Sequence, residues 1–142
     1  MTHSHRKEII WLPAFETGNA DLDVQHIQLL KDSKHIEGLV SSGAPWEQVR
    51  DSVAIFENDC RQHFRFEETL LKSTDFPRLD YHIEQHHRIE DELREITAFV
   101  AEADGQNPRH GEKLLSLELT LIEVILRHDL DFKSHFLNSA GR

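Results

Sequence analysis

The chain has very little cysteine and no long apolar run. Cys60 is the only cysteine among 142 residues, which excludes an internal disulfide and a cysteine-rich zinc or iron–sulfur site. No apolar run approaches the roughly 20 residues that span a bilayer, and the apolar patch near the N-terminus is broken at Pro13. We therefore expect no membrane association and no signal peptide, and a cytoplasmic location.

Positive charge, glycine and proline are also scarce. The 26 acidic residues outnumber the 16 lysines and arginines, and the net charge is −10. Because nucleic-acid phosphates are bound by clustered lysine and arginine, we expect no nucleic-acid partner. With 6 glycines, 4 prolines and no alternating strand pattern, the composition favours helices. At this length we expect one domain with a substantial core.

Histidine, in contrast, is abundant, with 11 residues. Two pairs of metal-competent side chains are spaced four residues apart, His63 with Glu67 and His82 with His86. On a helix this spacing places both members of a pair on one face, one turn apart. Because the chain has a single cysteine, histidines and carboxylates would have to hold any bound metal, which favours iron, manganese or zinc.

Apolar residues recur at steps of three and four and predict four helices. The predicted helices run from an N-cap at Asp21 to about Val40, from Pro45 to about Ser73, from the turn at 74–77 to about Asp104, and from about Arg109 to Leu137. Short connections between them predict an all-α, up-down-up-down antiparallel four-helix bundle. We expect a single domain over 1–142, with an N-terminal arm at 1–20 and the bundle at 21–137.

In such a bundle the candidate metal ligands meet at one end, because each lies near the matching end of its helix. Each also lies on the apolar line of its helix, so its side chain is expected to point inward. Ionisable groups in a core are strongly unfavourable unless they are paired or bound to metal. The spacing therefore predicts a buried metal site. The candidates are His26, His63, Glu67, His82, His86, His128 and Asp129.

These motifs resemble the hemerythrin family, specifically the single-domain bacterial hemerythrins. The matching residues are Trp11, Thr17-Gly18, Asp23-Val24-Gln25-His26, His63-Phe64-x-x-Glu67-Glu68 and His82-x-x-x-His86. The resemblance covers nearly the whole chain in the right order. It implies a non-haem di-iron centre, with an oxo or hydroxo bridge, that binds O2 reversibly.

The resemblance also implies how the ligands are divided. The implied ligands are His26 and His63 for one iron, His82, His86 and a helix-four histidine for the other, and Glu67 and an aspartate of helix four as bridges. We further expect Asp23 to accept a proton from a ligating imidazole, which would fix the tautomer of that ring.

The fourth helix departs from the family pattern, which is a histidine followed five residues later by an aspartate. Counting forward from His128 gives Lys133, and counting back from Asp129 gives Val124. Phe132 lies three residues after Asp129, where the family has an aromatic residue. We therefore expect Asp129 to be the bridge and Val124 to mark a lost ligand. His128 is then either a substitute ligand or a neighbour of the site.

Three functions stay open at this level. The first is an O2 carrier, store or sensor whose partner is O2 or another small diatomic or anionic ligand. The second is a di-iron enzyme acting on O2, peroxide or NO, because catalytic metals need a vacant position and the loss at Val124 would provide one. The third is an iron-sensing or oxygen-sensing module that docks on a partner. We expect a binding protein rather than an enzyme, and a monomer is compatible with the sequence.

Overall fold

The computed structural model describes residues 16–140, with side chains through residue 136. The helices are α1 (Ala20–Ser41), α2 (Trp46–Ser73), α3 (Leu79–Glu102) and α4 (Pro108–Asp129), followed by a 3₁₀ turn (Leu130–Phe132) and α5 (Lys133–Ala140). Helix α1 packs on α2, α2 on α3, α3 on α4, and α4 on α1. This ring of neighbours confirms the all-α four-helix bundle, and no strand occurs among the described residues. Most of the predicted N-terminal arm, residues 1–15, lies outside them.

Asparagine residues form the N-caps of two of the helices. The side-chain oxygen of Asn19 accepts a hydrogen bond from the backbone N–H of Leu22 at 3.1 Å and caps α1. Asn107 caps α4 in the same way, by accepting from Arg109 at 3.0 Å. The predicted N-cap of α1 was therefore wrong. Asp21 instead lies in the first turn, where its negative charge interacts favourably with the helix dipole.

The bundle is closely packed at the end where α2 and α4 begin. The indole N–H of Trp46 donates to the carbonyl oxygen of Val100 at 3.0 Å. A Cβ atom at Gly105 would lie 2.7 Å from the Cβ of Trp46, and one at Gly111 would lie 2.8 Å from a methyl group of Val40. Side chains at these two glycine positions would therefore push the helices and their connections apart.

The buried apolar residues form two clusters with a polar layer between them. The larger cluster fills the middle of the bundle and includes Leu29, Phe64, Ile89 and Ile125. The smaller cluster contains Leu22, Leu71, Phe76, Phe132 and Phe136. Along the chain, every candidate ligand except His63 comes between members of the two clusters, so apolar side chains enclose the polar layer from both ends. No helix within residues 16–140 has both the length and the apolar content that crossing a membrane requires.

The fourth helix differs from its prediction in two respects. It ends at Asp129 instead of continuing to Leu137, because a 3₁₀ turn, in which Phe132 is completely buried, interrupts it before α5. The spacing of apolar residues also predicts an inward line through Leu117 and Val124, and this is wrong, because their side chains are 37% and 42% exposed. Apolar residues occur on several sides of this helix, so periodicity alone does not select the buried face. The residues that α4 buries are Gly111, Leu114, Leu115, Glu118, Leu121, Ile122, Ile125, Leu126 and Asp129.

Candidate metal centre

The structure brings all seven candidate ligands together in the polar layer, in two groups that could each hold a metal ion. Within each group the ligand atoms lie within 4.8 Å of one another. Donor atoms bound about 2.1 Å from one ion are separated by about 3 to 4.2 Å, so the spacing is suitable for a metal. The first group is His26, His63, Glu67 and Asp129, and the second is His82, His86, His128 and Asp129.

The first group is tightly assembled and fully enclosed. The Nε2 atom of His26 lies 2.6 Å from Oδ2 of Asp129, and Nε2 of His63 lies 3.1 Å from the same oxygen. The Nε2 atom of His63 is also 3.0 Å from Oε2 of Glu67. None of these four side chains is more than 2% exposed. Helices α1 and α2 and the end of α4 thus direct their ligand atoms at one small volume.

The second group is looser; it shares Asp129 with the first group, and its His86 also contacts Glu67. The Nε2 atom of His86 lies 2.7 Å from Oε1 of Glu67, the oxygen that faces away from His63. The Nε2 atom of His82 lies 3.9 Å from Oδ1 of Asp129 and 4.0 Å from Oε1 of Glu67. Each carboxylate therefore directs one oxygen towards each group, which is the arrangement of a bridging ligand.

Two imidazoles are oriented by polar side chains outside the groups. The Nδ1 atom of His63 lies 2.7 Å from the side-chain oxygen of Gln25, and Nδ1 of His86 lies 2.6 Å from Oε2 of Glu68. Both acceptors favour a proton on Nδ1, and these contacts direct Nε2 of each ring towards the centre, where it could bind a metal. Arg65 in turn donates to Glu68 at 2.7 Å and holds that carboxylate in place.

The sequence predicted Asp23, and neither Gln25 nor Glu68, as the hydrogen-bond partner of a ligating imidazole. Asp23 accepts hydrogen bonds from the backbone N–H and the hydroxyl of Thr17, at 2.8 and 3.0 Å, and so ties the start of the described chain to α1. Gln25 and Glu68 each directly adjoin a candidate ligand in sequence. Their positions give a weak signal, because a neighbour in sequence usually points to another side of the helix.

The two shared carboxyl groups have opposite pKa shifts. Burial raises the pKa of Glu67 well above its usual value, and the charge of Asp129 raises it further. Burial also acts to raise the pKa of Asp129, but hydrogen bonds from His26 and His63 outweigh it and leave the pKa well below the usual range. Without metal, the surroundings therefore favour the uncharged form of Glu67 and the ionised form of Asp129. A cation between them would favour the ionised form of both groups.

Several buried nitrogen and oxygen atoms at the centre, each able to bind a metal, make no hydrogen bond to the described part of the protein. These atoms are Oε2 of Glu67, Nε2 of His82, Nε2 of His128 and Oδ1 of Asp129. A buried polar atom without a partner is destabilising by about 1–3 kcal/mol, so four of them in one place need an explanation. A metal ion would satisfy these atoms together, and the donor set therefore fits a bound metal.

His128 differs from the other candidates because its side chain is only half-buried. Its ring stacks on that of His82, with the ring centroids 3.7 Å apart. Burial lowers the pKa of His128 to about 4, and the nearby His82 lowers it as well. The ring is therefore neutral near pH 7, as metal binding requires. Among the other described histidines, His35 and His87 are exposed, and Nε2 of His135 contacts the hydroxyl of Thr74 at 2.9 Å.

Comparison with protein families identifies the domain directly. The family profile described as "Hemerythrin HHE cation binding domain" matches residues 17–136, a range that covers all four helices and every candidate ligand. No curated protein matches the chain. The family match shows a cation-binding domain, and the two ligand groups in the polar layer fit a metal site.

Proposed function

Because this chain belongs to the hemerythrin family, we propose that it is a non-haem di-iron protein that binds O2 reversibly as a carrier, store or sensor. The observation that carries the proposal is the position of Asp129. Its Oδ2 atom lies 2.6 Å from His26, and its Oδ1 atom is directed to His82 at 3.9 Å. A buried carboxylate whose oxygens face two separate imidazole groups suits two ions better than one.

The proposed ligands follow the two groups. His26 and His63 would hold one iron, and His82 and His86 the other, with His128 as a further candidate at the second ion. Glu67 and Asp129 would bridge the pair, in agreement with the direction of their oxygens. We propose all seven residues as metal-binding.

When bound, the pair of irons would supply the electrons and the open coordination that reversible O2 binding needs. The protein orients two of the imidazole rings, because Gln25 holds His63 and Glu68 holds His86. It also excludes water, because the apolar clusters enclose the polar layer. A centre in which imidazoles outnumber carboxylates leaves less negative charge on iron than the Glu-x-x-His sites of di-iron carboxylate proteins. This balance favours reversible binding over cleavage of the O–O bond.

The test combines metal analysis with absorption spectra recorded under air and after deoxygenation. We expect close to two irons per chain and a spectrum that changes reversibly with O2. His63→Ala should lose most of the iron, whereas His35→Ala, at an exposed position outside both groups, should keep it. A protein that stays metal-free after anaerobic loading with Fe(II) would rule out the proposal.

We also propose that Val124 marks the ligand that this chain lacks. Its side chain is 42% exposed, and it lies four residues before His128 on α4, so a histidine there would lie one helical turn from a member of the second group. Val124→His should therefore tighten binding of the second iron by about tenfold. The measurement is an anaerobic Fe(II) titration beside the parent, with Leu117→His as the control at an exposed position two turns away. Equal affinity in all three proteins would argue against this assignment.

The half-exposed ring of His128 also favours a second function, that of a di-iron enzyme acting on O2, peroxide or NO. A metal near a partly open side chain is accessible to substrate and product. Catalytic consumption of peroxide or NO by the iron-loaded protein, with turnover well above one per site, would favour the enzyme. Stoichiometric and reversible binding would favour the carrier.

A further inference from the structure

Two histidines of the second group are arranged differently from the other neighbouring pairs of the centre. The rings of His82 and His128 are nearly parallel, with an interplanar angle of 19° and centroids 3.7 Å apart. The rings of His26 and His63 meet at 64°, and those of His82 and His86 meet at 89°. The stacked pair thus contrasts with two edge-on pairs in the same layer.

This stacking decides which rings can bind one ion together. The lone pair of a ring nitrogen lies in the plane of the ring, so a bound metal must lie close to that plane, about 2.1 Å from the nitrogen. Two nearly parallel rings in van der Waals contact share no point that lies in both planes at that distance. Edge-on rings do share such points. His82 and His128 therefore cannot bind the same ion simultaneously in this arrangement.

Both rings nevertheless present a suitable nitrogen to the same place. The Nε2 atoms of His82 and His128 are both buried, and neither makes a hydrogen bond to the described residues. Both residues belong to the group that also contains His86 and Asp129. The two histidines thus offer two donors for one position at the second ion.

The surroundings of the two rings indicate which one is held. His82 is 1% exposed and packs against Phe132 and Phe76, with centroids 4.1 and 5.6 Å away. His128 is half-buried, and on its outer side it approaches Tyr81, whose side chain is 45% exposed, at 6.2 Å. His82 is fixed between aromatic rings, whereas His128 is partly open to solvent.

We propose that His82 and His128 are alternative ligands of one coordination position at the second ion, with His82 the resident ligand and His128 the exchanging one. The proposal rests on the di-iron function proposed above. The imidazole that is not bound stays beside the ion, where its Nε2 is available to hydrogen-bond to a small anionic or protic ligand. The stack would thus give the centre a ligand that can be replaced without losing the metal.

The test is an anaerobic titration with Fe(II), followed by calorimetry, on His82→Ala, His128→Ala and the double variant. Each single variant should keep the second ion with an affinity loss of no more than about tenfold, because the other ring takes the position. The double variant should lose at least about a hundredfold, more than the two single losses combined. His86→Ala should abolish the second ion alone, and His135→Ala, at the same end but outside both groups, should have no effect.

Two results would overturn the proposal. One is loss of the second ion in either single variant, which would mean that both rings bind together. The other is a double variant that binds as tightly as the better single one. Circular dichroism verifies folding, and His82→Asn and His128→Asn replace any alanine variant that does not fold. A parent protein that binds no iron would refute the di-iron function itself, whereas a parent with two irons and additive losses would refute only the exchange.

Discussion

Helix α4 carries two buried carboxyl groups with opposite behaviour. Asp129 is 1% exposed and Glu118 is 2% exposed. Imidazoles surround Asp129 and hold its pKa well below the usual range against the effect of burial. Burial raises the pKa of Glu118 to about 8, and a hydrogen bond with Ser33 only partly opposes the shift. Burial alone therefore does not decide the charge of a carboxyl group in this bundle. The hydrogen-bond donors around the carboxyl group decide its charge, and of these two carboxyl groups only Asp129 belongs to a metal-competent group of the described residues.

The largest effect should come from removing the charge of Asp129 while keeping its shape. Asp129→Asn should lose most of both irons, because this carboxylate belongs to both ligand groups. Glu118→Gln makes the same change three turns away and should keep the full metal content. Metal analysis after anaerobic loading, with circular dichroism to verify folding, measures the difference. Equal iron content in the two variants would mean that Asp129 is no more a ligand than Glu118.

Removing the metal should have the next largest effect. It leaves the donor atoms of the polar layer without partners and the two shared carboxyl groups close together, so the melting temperature should fall by several degrees or more. The measurement is a thermal melt with and without a chelator. Glu118→Gln should show the same metal-dependent shift as the parent. An unchanged melt in the metal-free parent would mean that the layer is stable without an ion.

A smaller effect should appear in the pH dependence of metal binding. Because the pKa of Glu67 is raised in the metal-free protein, metal binding must displace its proton, and affinity should rise as pH rises through that pKa. Calorimetry in two buffers with different ionisation enthalpies counts the protons released. Glu67→Gln should release fewer protons than the parent, and Glu118→Gln the same number. Equal release from Glu67→Gln and the parent would place the proton elsewhere.

The smallest effect should be on stability at alkaline pH. The pKa of Glu118 rises from 4.5 to about 8 on folding, so the folded state holds a proton that the unfolded state loses. The stability that this proton provides is complete below pH 4.5 and is lost as pH rises towards 8. The free energy of unfolding of Glu118→Gln, relative to that of the parent, should therefore be about 2–4 kcal/mol higher in alkaline than in acidic conditions. Urea unfolding at both extremes measures the gain, and a pH-independent difference would contradict it.

The sequence was sufficient to predict the bundle and the convergence of the seven candidates. Steps of three and four specify helices and their buried faces, and short connections make consecutive helices antiparallel. The same rule failed on α4. Its leucines and isoleucines lie on several sides of the helix, and the true buried face includes Glu118 in place of the apolar Leu117. Hydropathy treats glutamate as a charged surface residue and so does not predict a buried glutamate that carries a proton.

The finer organisation of the centre was also beyond the sequence. The choice of Gln25 and Glu68 over Asp23 depends on distances across helices, because His63 lies 38 residues from its partner Gln25. The stacking of His128 on His82 depends on how α4 is rotated against α3. Rotations of this size follow from packing between helices and leave no signature in the spacing of residues along one helix.

The smaller apolar cluster links the centre to the C-terminal part of the chain. Phe132, in the turn after α4, lies 4.1 Å from the ring of His82 and 5.3 Å from that of Phe76. The packing of this turn and metal binding by His82 would therefore both depend on the contact between Phe132 and His82. The free-energy coupling between two such events is the same in both directions. Whatever docking of the turn adds to iron affinity, iron adds equally to the docking. If His82 binds iron as proposed, metal occupancy would be coupled to the packing of this turn through the contact between His82 and Phe132.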